Sequence, residues 1–101
     1  MPAAVGPADL SIVQTHLEAS LRDPESLRFR HAEGFRTVTG DRIVCGEYNA
    51  KNGFGGYVGY QPYYVRLRQD QVAAAYFGSS LARLGCERAR LGEINVPRAA
   101  S

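Results

Sequence analysis

Apolar residues recur every three or four positions near the start of the chain, which is the spacing of one helix face. These positions are Leu10, Val13, Leu17 and Leu21. Polar side chains fill the places between them, so the pattern predicts an amphipathic helix over residues 7–22. Pro7 suits a first helical position, and Pro24 disfavours helical geometry in the residue before it. Residues 23–26 are therefore predicted to form a turn or one short helical turn.

The next segment alternates apolar and basic residues with the two-residue period of a half-buried strand. The inward set in residues 27–31 is Leu27, Phe29 and His31, and the outward set is Arg28 and Arg30. Turn-forming residues follow at Glu33-Gly34 and at positions 39–41. The pattern thus predicts a short strand, a turn, and a second strand over residues 42–48.

A tyrosine-rich segment over residues 57–68 is the longest strand candidate. Pro62 interrupts it, which predicts an edge position or a bulge, and an edge strand here is the candidate for pairing with a second copy. After Pro62, one face carries Tyr63, Val65 and Leu67, and the other carries Tyr64, Arg66 and Arg68. Residues 72–77 fit a fourth strand or the start of a helix, and Gly78 directly after them favours the strand.

The last predicted element is a helix that starts at Ser79 or Ser80. Its large apolar residues are Leu81, Leu84 and Leu91. Cys86 would point away from the face that these leucines share. Either the helix breaks at Gly85, or Cys86 does not face the core.

Together these elements predict an α+β domain with an N-terminal amphipathic helix, an antiparallel sheet of three or four strands and a short C-terminal helix. We expect the helices to cover one face of the sheet. With 101 residues the chain has room for one domain, 1–101. Its ordered core is predicted at about 7–92, and residues 96–101 are predicted to fray.

Composition agrees with a folded domain, since 45% of the residues are apolar and 22% are charged. The longest apolar run, residues 72–77, is far shorter than the roughly 20 residues that a membrane-spanning helix needs. The first residues lack the basic and apolar regions of a signal peptide. This predicts a cytoplasmic protein, or a periplasmic or secreted one if a leader has been removed.

Cysteine usage leaves the compartment open. Cys45 and Cys86 are too few for a disulfide scaffold and lack the close spacing of a zinc site, so they are a pair or two free thiols. A bridge between them would close a loop of about 40 residues and contribute on the order of 4 kcal/mol of stability. It would also indicate an oxidising compartment.

The most distinctive stretch is the run CGEYNAKNGFGGYVGY over residues 45–60. Its asparagines and glycines predict a hairpin or bulged loop between residues 49 and 56, with the asparagine side chains holding the turn. An ordered polar loop is also a candidate binding surface. Its candidate binding residues are Asn49, Lys51, Asn52, Phe54, Tyr57 and Tyr60.

This run resembles a family of small, functionally uncharacterised bacterial and phage-encoded proteins with the signature CGExNAKNxxGGYxG. In that family a DPxSxxFR element precedes the signature, and here it occupies residues 23–30. The resemblance covers roughly residues 23–77. Some relatives look exported and carry a second cysteine near the C-terminus, a position that Cys86 keeps. The resemblance implies a bacterial or phage accessory protein, and no catalytic residue transfers from it.

The residues that could suggest catalysis or cofactor binding in this chain do not form a recognisable catalytic or cofactor motif. The glycines at 53–59 precede a tyrosine-rich strand, whereas a phosphate-binding loop precedes a helix. A nucleophilic Cys45 would need His31 or His16 within hydrogen-bond reach, and an inward cysteine on a strand is more often a core residue. Two histidines with scattered acids do not make a metal site. We therefore expect no enzyme, no metal and no cofactor.

Arginine makes up eleven of the twelve basic residues, Lys51 being the exception. The outward basic set predicted on the sheet is Arg28, Arg30, Tyr64, Arg66 and Arg68. Such a face suits an acidic protein partner, nucleic-acid phosphates, or plain solvent. The sequence thus favours a non-enzymatic module that binds or inhibits a protein partner, with a small nucleic-acid-binding domain as the alternative.

Overall fold

The computed structural model describes residues 2–3 and 5–91. Its elements in chain order are β1 (Pro2–Ala3), α1 (Pro7–Glu18), a 3-10 turn (Pro24–Ser26), β2 (Arg28–Arg36), β3 (Arg42–Asn49), β4 (Gln61–Arg68), β5 (Gln71–Phe77) and α2 (Ser80–Leu91). The tail predicted at residues 96–101 lies outside the described residues. The α+β class is confirmed, and so is the strand predicted over residues 72–77.

The four long strands form one antiparallel sheet in the order β2-β3-β4-β5, and the two-residue β1 adds to the β2 side. This order places β4 inside the sheet, so the edge position expected from Pro62 is wrong. Pro62 is tolerated because it is the second residue of β4, where the strand has only just begun. Residues 57–60 precede the strand and belong to the loop before it.

The first two elements differ in length from the prediction. Helix α1 ends at Glu18, not at residue 22, and the Ser20 hydroxyl donates a hydrogen bond to the Leu17 carbonyl at this end. Strand β2 continues through the predicted turn at Glu33-Gly34, because a bulge between Arg30 and Glu33 restores its pairing with β3. His31 lies in this bulge with a φ of 58° and is exposed, so its predicted inward position is wrong.

The two helices lie on opposite faces of the sheet, not on one face as expected. On one face, Val13 of α1 packs with Val44, Tyr63, Val65 and Leu67. On the other face, α2 packs against a second cluster that includes Tyr64. The alternation predicted after Pro62 is therefore confirmed, since neighbouring residues of β4 contribute to opposite layers.

Helix α2 presents its small residues to the sheet and its leucines to solvent. Ala82, Cys86 and Ala89 are buried, whereas Leu81, Leu84 and Leu91 are exposed. The helix does not break at Gly85, and Cys86 faces the core, so neither sequence alternative for this helix is correct. Gly85 is required at this contact, since a Cβ there would lie 2.8 Å from Cδ2 of Tyr64. Within residues 2–3 and 5–91, no helix is long and apolar enough to cross a membrane.

Candidate binding loop

The loop between β3 and β4, residues 50–60, is held in shape by its own asparagines. Oδ1 of Asn52 accepts hydrogen bonds from the backbone N–H groups of Phe54 at 2.9 Å and Gly56 at 3.2 Å. At the base of the loop, Oδ1 of Asn49 accepts one from the N–H of Gly59 at 3.2 Å. Backbone contacts within the loop add to these bonds. The predicted turn-holding role of the two asparagines is confirmed.

A second set of bonds ties the loop to the 3-10 turn at Pro24–Ser26. The hydroxyl of Ser26 accepts from the N–H of Lys51 at 2.8 Å and donates to the Asp23 carbonyl at 2.7 Å. The Tyr57 hydroxyl donates to the Ser26 carbonyl at 2.9 Å. Ser26 is buried by these contacts. It therefore joins the turn at residues 23–26 to the loop, a role that its position in the sequence did not reveal.

Aromatic and basic side chains brace the loop at its sides. The Arg30 guanidinium lies 3.8 Å from the centre of the Tyr60 ring, a cation–π distance, and its Nε donates to Glu47 at 2.8 Å. Lys51 Nζ lies 5.8 Å from the centre of the Tyr57 ring. The sequence predicted Arg30 in the basic face and Tyr60 in the binding loop. Their contact places both residues in a single surface.

The tip of this braced loop carries a fully solvent-exposed phenylalanine. Phe54 is 99% exposed, and Val58 and Tyr57 nearby are also exposed large apolar residues. The side chain of Arg22 runs beside Gly53, the residue before Phe54. The loop therefore presents apolar groups next to two cations, Lys51 and Arg22.

The predicted arginine face is only partly assembled. Arg66 and Arg68 both bind Asp41, at 2.8 and 3.0 Å, and Arg30 binds Glu47. Arg28 donates to backbone carbonyls. The outward position predicted for Tyr64 is wrong, because α2 covers that face and leaves Tyr64 only 4% exposed. A base cannot stack on a ring that is buried in this way.

Asp41 is the acidic residue that sequence reasoning missed. It was predicted only as the last residue of the turn at positions 39–41, and it is 3% exposed. Its hydrogen bond from Arg68, together with the bond and charge of Arg66, holds the pKa of the carboxyl below its usual value, although burial acts in the opposite direction. The pairing depends on where β4 runs beside the β2–β3 turn, which no local pattern reveals.

Cys45 and Cys86 meet across the layer between β3 and α2. Their Cα atoms lie 5.9 Å apart, a disulfide distance, and both side chains are buried. The two histidines lie elsewhere, His31 beside Glu47 and His16 against the Phe77 ring. Among residues 2–3 and 5–91 no group of three or more metal-ligating side chains comes together.

Comparison with known proteins gives this chain no relative. No family model, curated protein or solved structure matches it.

Proposed function

We propose that this protein is a non-enzymatic accessory module of bacterial or phage type that binds or inhibits a protein partner through the loop at residues 50–60, with Asn49 at its base. The observation that carries the proposal is the 99% exposure of Phe54 on a loop whose backbone is fixed by side-chain hydrogen bonds. Exposed apolar patches with polar residues around them are typical of interaction sites, and Tyr57 and Val58 add to the exposed apolar surface of this loop. Aromatic residues are also the usual anchors of protein interfaces.

Pre-organisation makes this loop suitable for binding. Because Asn49, Asn52 and Ser26 already hold the backbone, little conformational entropy remains to be lost when a partner docks. Burying the Phe54 side chain would contribute about 2–3 kcal/mol of binding free energy. Lys51 and Arg22 flank it, so the partner that fits has an apolar pocket with acidic groups at its rim.

Nucleic-acid binding has less support from the described contacts. Arg30, Arg66 and Arg68 are each paired with a carboxylate, which lowers the positive charge that the sheet offers to phosphates. Protein binding is therefore the function that we put forward.

The test compares three forms of the protein as immobilised baits for extracts of cells that naturally express it. Phe54→Ala should lose the partner that wild type retains, because the anchor is gone while the fold is untouched. Val38→Ala is the matched control, since Val38 is 73% exposed in the β2–β3 turn, away from the loop. With the purified partner, Phe54→Ala should weaken binding at least tenfold, or by about 1.4 kcal/mol.

Two results would contradict the proposal. In the first, every protein retained by wild type is retained equally by Phe54→Ala. In the second, Val38→Ala loses the partner as completely as Phe54→Ala does.

A further inference from the structure

The two edges of the sheet differ in how they are protected against pairing with another strand. The β2 edge is charged by Arg28 and Arg30, interrupted by the bulge before Glu33, and partly covered by β1. These are the devices that natural proteins use to prevent edge-to-edge association. The β5 edge has one of these devices, a bulge at Ala73, but Gln71–Phe77 contains no charged residue and no proline.

Strand β5 pairs with β4 on one side, and among the described residues no strand pairs with its other side. The register shift opposite Arg66 and Leu67 makes Ala73 the bulged residue, so the bulge falls within the first three residues of the strand. The remaining residues continue in regular register to Phe77. Backbone N–H and C=O groups on the outer side are therefore available to a further strand.

Apolar groups flank this edge on the α1 face. Ile12 and Val72 line a shallow groove there, together with Ser11, Thr15 and His16. A strand added beside β5 would extend the sheet under this groove.

A second apolar flank lies on the α2 face. Arg90 pairs with Glu33, so that side of α2 faces β2. At 100° per residue, Leu81 and Gly85 lie on the opposite side of the helix, toward β5. A Cβ at Gly85 would meet the Tyr64 ring, whose centre lies 5.8 Å from that of the tilted Tyr76 ring of β5. Tyr76 and Leu81, both exposed, therefore border the edge.

We propose that β5 pairs antiparallel with β5 of a second copy of this chain, so that two sheets join into one. The run Gln71–Phe77 suits self-pairing because three alanines at its centre allow close approach and no like charges are brought together. Both copies then place α1 on the same face of the joined sheet and α2 on the opposite face. The apolar flank on each face therefore meets the same flank of the second copy.

The size of the contact predicts a weak dimer. The regular part of the strand, Ala74–Phe77, and its two apolar flanks form a small contact, which we expect to lie near the roughly 1,000 Å² that marks the lower limit for a specific interface. We expect dissociation constants on the order of 10–100 µM. The loop at residues 50–60 adjoins the end of the sheet where Phe77 pairs with Tyr63. Antiparallel pairing therefore places the two loops at opposite ends of the joined sheet.

Sedimentation equilibrium of the full chain over a concentration series tests this proposal. The weight-average mass of wild type should rise from nearer the monomer value at about 10 µM toward the dimer value at about 1 mM. Ala73→Lys combined with Leu81→Lys should stay monomeric, since both residues are exposed at this edge and lysine blocks strand addition. Val38→Lys combined with Leu91→Lys is the matched control. It adds the same charge at exposed sites away from β5 and should dimerise as wild type does.

A second readout covers the case in which the edge variant fails to fold. Amide hydrogen exchange at Ala74–Phe77 of wild type should slow as the concentration rises. A wild type that stays monomeric at 1 mM, an edge variant that still dimerises, a control that also loses the dimer, or exchange that is independent of concentration would each overturn the proposal.

Discussion

Gly46 and Tyr63 show how one residue can fix the identity of another across the sheet. A Cβ at Gly46 would lie 2.7 Å from the Tyr63 hydroxyl oxygen, so the glycine of the CGE run is needed for this close approach. Tyr63 is completely buried, and its hydroxyl has no hydrogen-bond partner among the described residues. Burial raises the pKa of Tyr63 to about 12. The sequence predicted that Gly46 lies in a strand. Glycine is needed there because of its cross-strand partner, which no local pattern identifies.

Titration of Asp41 should make the folding stability of the protein depend on pH. Because Arg68 and Arg66 lower the pKa of its carboxyl in the folded state, its contribution is full above the unfolded value near 3.8 and is lost as pH falls through the folded value. Asp41→Asn should cost about 2 kcal/mol at pH 7, since the arginines lose a buried charged acceptor. Its unfolding free energy should also fall less steeply than that of wild type below pH 5. Urea denaturation at several pH values measures both effects.

Asp70→Asn is the matched control for this experiment. The Asp70 side chain is 90% exposed and its contact with Arg42 is a loose 3.9 Å, so the substitution should leave stability nearly unchanged. An Asp41→Asn variant with the pH profile of wild type would show that the pair with the arginines contributes nothing to folding.

At the scale of elements, periodicity predicted most of the strands and both helices but misassigned the face of α2. The spacing of Leu81, Leu84 and Leu91 indicated a buried leucine face, yet the helix buries Ala82, Cys86 and Ala89. The helix buries small residues because the side chains of Tyr64 and Cys45 project from the sheet beneath it and leave little space. The turn predicted at Glu33-Gly34 failed for a similar reason, since pairing with β3 overrides local turn preference.

The cysteine pair between β3 and α2 leads to a prediction about redox state. We expect a disulfide, with an oxidising compartment as its setting. Its 41-residue separation gives a stabilisation of about 4 kcal/mol in the chain-entropy model. Adding a reductant should lower the urea midpoint accordingly, and Cys45→Ala with Cys86→Ala should show the lowered midpoint without reductant.

Intact mass after thiol alkylation identifies the bridge directly. Protein purified from its natural source should gain two blocking groups only after reduction. Two thiols that react freely before reduction would contradict the bridge and remove the argument for an oxidising compartment.

At the scale of the whole molecule, the fold brings the turn at residues 23–26 and the loop at residues 50–60 together, although they are distant in the sequence. The sequence located this loop and the role of its asparagines, because asparagine and glycine act on their own local backbone. It did not reveal that Ser26 bonds the loop to the 3-10 turn, or that Asp41 pairs with two arginines. Both sets of contacts depend on how separate elements pack. The exposure of Phe54 likewise follows from the loop standing beyond the sheet.

Photo-crosslinking in cells that naturally express the protein, with a photoreactive residue at position 54 or at position 38, tests whether the loop is a binding site. We expect one abundant crosslinked protein from position 54 and little from position 38, although both sites are exposed. Crosslinks from position 54 that are absent, or no more frequent or specific than those from position 38, would contradict the claim that the loop is a binding site.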